Sequence, residues 1–165
     1  MRSTEDIGKT QDATLTAEAE FDSMLRRRGR SLAKWNAAVF ACSLPFGAYS
    51  TALHGESSQN GFGLLLVGWL GMLMGYFEWI ANPLLLIAWI CLWIRKPGYA
   101  ASFAAAACAI AVAFMLRDKI LINEAGHVGK IISLDAGYWL WVTSTATTLT
   151  SAIALIIQNR RRLSL

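Results

Sequence analysis

The sequence predicts an all-α integral membrane bundle of four transmembrane helices with a short extra helix at the outer face. Three observations predict it. The chain is 55% hydrophobic and only 16% charged, against about 45–50% and about 25% in soluble domains. Its charges are segregated, and nearly all lie outside four apolar blocks. The second block, residues 62–94, reads FGLLLVGWLGMLMGYFEWIANPLLLIAWICLWI, with Glu78 as its single charge. A run this long and apolar is a membrane signature. With 165 residues, the chain has room for one bundle and no separate soluble domain.

Residues 1–34 precede the first block and form a cytoplasmic segment. Residues 1–10 read as disordered. Residues 14–28, TLTAEAEFDSMLRRR, read as a helix with its acids first and its arginines last, matching the helix dipole. A cleaved signal peptide over 26–53 fits poorly, because its apolar part is long and a mostly polar segment precedes it. Block one, residues 35–53, has the length of a spanning helix.

Block two is awkward. As one helix its 33 residues would extend roughly 50 Å, against a hydrocarbon core of about 30 Å. It is too long for one crossing and too short for two with a turn. The distribution of Lys and Arg decides between them, because these residues accumulate on the cytoplasmic side. With the N-terminus cytoplasmic and one crossing per block, twelve of the fifteen lie inside. These are Arg2, Lys9, Arg26, Arg27, Arg28, Arg30, Lys34, Arg95, Lys96, Arg160, Arg161 and Arg162. Arg117, Lys119 and Lys130 lie outside. A double crossing of block two would move Arg95, Lys96 and the C-terminal triplet outside and weaken the bias.

The single crossing therefore spans 78–94, with Pro83 in its first turns. Proline removes a backbone donor and disfavours helix at the residue before it. Residues 62–77 form a short helix at the outer face or a re-entrant segment. Gly68, Gly71 and Gly75 make a stripe, with Gly71 and Gly75 as a GxxxG pair, and such faces let backbones approach closely. One long helix kinked at Pro83 is the alternative. Block three, residues 99–116, is alanine-rich and suits close packing. Block four is 137–157, and the basic tail 158–165 is cytoplasmic; the membrane domain is thus 35–157. In the outer loop 117–136, Ile120-Leu121-Ile122 and Ile131-Ile132 can pair as short strands.

Few residues offer chemistry. An acid inside a membrane block, such as Glu78, is a candidate proton or cation site; the alternative puts it at the outer interface beside Tyr76 and Trp79. His54 and His127 fall on the same outer side. Two histidines can ligate heme or a metal, but no CxxCH and no suitably spaced carboxylate accompanies them, so solvated loop histidines are expected. Thr143, Thr147, Thr150 and Ser151 share a helical face that could line a polar path or bond its own backbone one turn back. Cys42, Cys91 and Cys108 lie in apolar blocks without pair or zinc spacing and read as small hydrophobes. There is no Walker A, G-x-S-x-G, HExxH or strand-borne GxGxxG motif. No catalytic residue, metal or cofactor is expected. The basic clusters flank spans, where they face anionic lipid rather than nucleic acid.

The marks LPF at 44–46, GWLG at 68–71, WIANP at 79–83 and GYWLW at 137–141 together resemble a group of small bacterial multi-spanning membrane proteins of uncharacterised activity. The resemblance covers roughly 40–155 and implies a bacterial inner (cytoplasmic) membrane location. It also implies that Glu78 stands at a position usually uncharged, which argues against a general proton relay. The expected role is that of a non-catalytic interaction protein, an accessory subunit or an immunity-type protein. Its partners would be the lipid bilayer and either another membrane protein or further copies of itself. The alternative is a small oligomeric transporter or channel-like protein using Glu78 and the hydroxyl face.

Overall fold

The computed structural model describes residues 4–51, 57–121 and 128–163. The chain is mostly helical. Helix α1 (Thr4–Ser43) leads into strand β1 (Gly47–Thr51), which pairs with β2 (Ser57–Asn60). Helix α2 (Gly61–Val67) continues as a 3₁₀ segment, Gly68–Met74. After a turn, the short 3₁₀ segment Glu78–Ile80 enters α3 (Ala81–Trp93). Helix α4 (Pro97–Ala113), strands β3 (Lys119–Leu121) and β4 (Val128–Leu134), and helix α5 (Ala136–Leu163) complete the fold.

Helices α1, α3, α4 and α5 form an up-down-up-down bundle. Helix α1 packs on α3 and α5, and α4 packs on the same two from the other side. The seam is built from small residues. On α4 the fully buried positions are Ala100, Ala104, Ala107 and Ala111, whose spacing of four, three and four keeps them on one helical face. Ala81, Leu85 and Ala88 on α3 and Ser144, Thr145, Thr148 and Ala152 on α5 face the same interior. Pro97 opens α4 in the first turn, where its missing N–H costs nothing.

One end of the bundle carries a four-stranded antiparallel sheet in the order β2-β1-β4-β3. The chain is mostly helical, as the all-α expectation has it, and the small sheet is an addition to that expectation. The outer loop does form two strands near the residues expected, but in another register: Ile120 lies opposite Gly129 and Lys119 opposite Lys130, while Ile131 pairs with Thr51 of β1. The β1–β2 half was not anticipated, because residues 47–51 were assigned to a spanning helix over 35–53. That helix ends at Ser43 instead. Pro45 cannot donate the next helical bond and disfavours helix at Leu44, and Phe46 N–H closes a turn on the Ser43 carbonyl at 3.3 Å. The head of α5 then passes very close. A Cβ on Gly137 would lie 2.7 Å from the carbonyl oxygens of both Phe46 and Gly47. Asp135, just before α5, fastens this corner: its carboxylate accepts from Ser50 at 2.7 Å and Ser133 at 2.8 Å.

The N-terminal segment also differs from expectation. Residues 4–43 form a single 40-residue helix, not a disordered stretch, a helix over 14–28 and a separate span. Gly29 lies within the helix where α1 crosses the end of α3; a Cβ there would meet the Leu92 carbonyl oxygen at 2.8 Å. At this end Arg95 donates to both carboxylate oxygens of Asp22, at 2.8 and 3.2 Å. Arg30 and Lys34 lie over the Trp93 ring, 5.3 and 5.7 Å from its centre.

Two helical segments, Pro97–Leu116 and Ala136–Arg161, are long and apolar enough to cross a membrane. Gly61–Met74 and Glu78–Trp93 are apolar but shorter. Residues 61–93 are not one kinked helix. The chain turns at Gly75, whose φ of 84° is the left-handed conformation that glycine adopts without strain, and 61–74 folds back over the start of α3. There the Trp79 indole N–H donates to the Leu65 carbonyl at 3.0 Å.

The close approach at Gly137 is testable. Gly137→Ala forces a carbon onto two backbone carbonyls, and overpacking of this kind costs about 1–3 kcal/mol. We expect its melting temperature in mild detergent to fall clearly. Gly98→Ala, which places a Cβ in open space, should show no fall.

Candidate ligand cavity at the sheet end

A cavity of about 670 Å³ lies between the sheet, the folded-back 61–74 segment and the ends of the bundle helices. Phe40, Ser43 and Leu44 from the end of α1 form one wall, and Ala48, Tyr49 and Thr51 of β1 form another. Trp79, Asn82, Tyr138 and Trp141 lie on the bundle side. The roof is α2 and its 3₁₀ extension, including Leu64, Val67, Leu73 and Met74. The last three are more than half exposed, so the mouth opens among apolar side chains. Pockets of roughly 300–1,000 Å³, mainly apolar with a few placed polar groups, are the usual form of a ligand site.

Most of the polar groups around the cavity already have partners within the protein. The Trp141 indole donates to Asn82 Oδ1 at 3.0 Å. The Ser43 hydroxyl bonds back to the Phe40 carbonyl at 2.6 Å. The Tyr138 hydroxyl donates to the Ala111 carbonyl at 2.7 Å. Glu78 is paired with Arg117 at 2.6 Å, and that guanidinium also lies 5.2 Å from the centre of the Tyr76 ring. Arg117 follows the last turn of α4, where a cation is favoured by the helix dipole. It clasps residues 76–78, on which the roof turns. Burial pushes the Tyr49 phenol up to about 12, so this wall stays neutral at ordinary pH.

The cavity is open at its mouth, so its apolar lining meets the medium that surrounds the protein. Water needs two to four polar partners per molecule, and this lining offers few. A second crevice, of about 50 Å³, lies at the opposite end beside Gly29 and Arg95 and has room for little more than one water.

The residues singled out in the sequence are dispersed. Glu78 lines the cavity, but as half of an ion pair. Thr143 is exposed and Thr147 half-buried; their hydroxyls donate to Trp139 and Thr143 carbonyls on their own helix, both at 2.8 Å. Ser151 accepts from Asn36 Nδ2 at 3.3 Å. The hydroxyls that do face the interior are Ser144, Thr145 and Thr148, one position away from the predicted stripe. Gly68 packs tightly, since a Cβ there would meet the Trp79 ring at 2.8 Å. Gly71 approaches the Tyr76 side chain. Gly75 is a cap and not a packing surface, with nothing within 4 Å of its Cβ position. The physical reason is the 3₁₀ geometry of 68–74: side chains align every three residues, so Gly68 and Gly71 share a row and Gly75 leaves it. Pro83 lies at the start of α3, as expected. His54 and His127 lie outside the described residues. Among the described residues no three His, Cys, Asp or Glu side chains gather to hold a metal.

Sequence reasoning missed the residues that join the helices. Trp141 reaches Asn82, the Trp89 indole donates to Thr148 Oγ1 at 3.0 Å, and Asn36 reaches Ser151. The available signal was polar Asn36 and Asn82 inside apolar blocks. No family model, curated protein or solved structure matches the chain.

The two indole bonds should differ in weight. Trp141→Phe strands the Asn82 oxygen, at a cost of about 1–3 kcal/mol. Trp89→Phe leaves Thr148 still bonded to the Ser144 carbonyl at 2.7 Å, and should cost only about 0.5–1.5 kcal/mol. Chemical denaturation of the two variants in the same detergent would rank them; the reverse order would contradict the assignment.

Proposed function

We propose that the chain is a four-crossing protein of the bacterial inner membrane, with both chain ends cytoplasmic, that acts by binding and not by catalysis. The observation that carries this reading is inverted packing. Ala104 and Ala107 on α4 and Ser144 and Thr145 on α5 are fully buried, while Leu86 and Ile90 on α3 and Ile153 and Ile157 on α5 are exposed, and Leu116 is 87% exposed. Large contiguous apolar surfaces are rare on soluble monomers. Small residues at helix contacts with large ones outside are the pattern of membrane bundles.

The ends of the bundle agree with the threading. Arg117, Lys119 and Lys130 belong to the sheet end, and Lys34, Arg95, Lys96 and Arg160 to the opposite end. Exposed Trp35, Trp93 and Tyr99 sit near the basic end, and Trp69, Phe77 and Trp139 near the sheet, as interfacial belts do. Helix α1 is apolar only over its last turns, and Arg30 and Lys34 can hold their charges at the interface while their stems lie along Trp93. The resemblance of the LPF, GWLG, WIANP and GYWLW marks supports the same location.

Binding is favoured over transport because the polar groups a transport path would use are engaged: Glu78 by Arg117, and the hydroxyls of Thr143 and Thr147 by their own helix. An accessory-subunit or immunity-type role fits a small bundle with an apolar exterior and one sizeable cavity. In mild detergent, a stable foreign partner supports this role, whereas a homo-oligomer with ion flux supports transport.

The threading has a direct test. In a variant with Cys42, Cys91 and Cys108 replaced, single cysteines at Gln59 and Lys96 should react with an impermeant reagent from opposite sides of the membrane. Labelling of both from one side would contradict it.

A further inference from the structure

We propose that the sheet-end cavity holds one acyl chain of a membrane phospholipid, admitted from the adjoining leaflet between Val67, Leu73 and Met74. This rests on the membrane reading above. The mouth is apolar and continuous with the exposed apolar surface of Leu66, Trp69 and Phe77, so it opens toward hydrocarbon. The bundle-side polar groups are taken up by Arg117, Trp141 and helix carbonyls, which leaves an apolar floor. Of the other polar lining residues, Tyr49, Thr51 and Gln59 share the β1–β2 wall, and Tyr76 lies at the turn of the roof with its ring against Arg117. That asymmetry suits a chain whose tail lies on the aromatic floor and whose ester end meets the sheet. A cavity of about 670 Å³ is large enough for a drug-sized apolar ligand, and a dry apolar cavity takes up apolar molecules from its surroundings.

The test uses the full chain in vesicles of phosphatidylethanolamine with a minority of phosphatidylglycerol. They are doped with a phosphatidylcholine carrying a diazirine at the end of one acyl chain. After photolysis, adducts are mapped by mass spectrometry. The proposal expects adducts on the cavity residues Leu64 and Leu70 as well as on outward-facing Leu86 and Ile90. Leu64→Trp, which puts an indole into the cavity from the roof beside Leu70, should clearly lower the Leu70 adduct and leave Leu86 and Ile90 unchanged. If Leu64→Trp does not elute as a folded species, Ala48→Phe takes its place. Adducts on Leu86 and Ile90 with none in the cavity would overturn the acyl site alone. So would cavity adducts that a folded filling variant does not reduce. Absence of adducts at Leu86 and Ile90 would overturn the membrane reading itself.

Discussion

The close approach of α4 to its neighbours is the constraint on which the rest of the structure depends. Ala100, Ala104, Ala107 and Ala111 give α4 a buried face without a side chain larger than a methyl group. The partner faces combine small residues, Ala81 and Ala88 on α3 and Ser144, Thr145, Thr148 and Ala152 on α5, with the buried Leu85, Leu92 and Leu155. Small contact residues let backbones approach and gain dispersion contacts along their length. Many other large apolar side chains lie outside, among them Leu86, Ile90, Val112 and Ile153. Within the seam, Ser144, Thr145 and Thr148 satisfy their hydroxyls on α5 itself. Specific cross-links are left to a few indoles and amides. Among the described residues Asn36 Oδ1 is buried without a partner, while its Nδ2 donates to Ser151 across α1 and α5.

The same economy of size shapes the sheet end. Gly137 allows the head of α5 to touch the corner after α1, and that contact fixes β1 beside β4. The sheet then stands over the helix ends, with Asp135 tying its two central strands to α5. The 61–74 segment is held over the bundle by Trp79 and by the Arg117–Glu78 pair rather than by a packed core of its own. A roof fixed at its edges and unfilled beneath is what produces the cavity.

Much of the bundle was legible in the sequence, because a membrane-like bundle is written in long apolar runs and in the placement of arginine and lysine. The helix Ala81–Trp93 and the separate helical segment before it follow from Pro83 and the glycines, and the strands at Ile120 and Ile131 from their β-branched residues. The end of α1 at Ser43 was missed although Pro45 and Gly47 signal a break there. That residues 47–51, GAYST, form a strand depends on pairing with β2 and with β4, which lies some eighty residues on. The hydroxyls of Thr143, Thr147 and Thr150 bond their own helix, one of the two alternatives the sequence offered, and which hydroxyls face the interior was not legible because such a side chain can face either way. Facing direction is then set by Tyr138, Trp141, Ala152 and Leu155, whose burial is a tertiary property. The cavity left no trace in the sequence, since it is a gap between elements distant along the chain. Glu78 was found, but its partner Arg117 was visible only as a loop charge.

The central claim is that the large residues outside the small-residue seam face hydrocarbon. Spin labels at Leu86, Ile90, Val112 and Ile153 of the reconstituted protein test it through relaxation by oxygen, which concentrates in the bilayer, against a water-soluble paramagnetic complex. The account predicts that oxygen dominates at all four positions. Stronger relaxation by the water-soluble agent at these sites would contradict it.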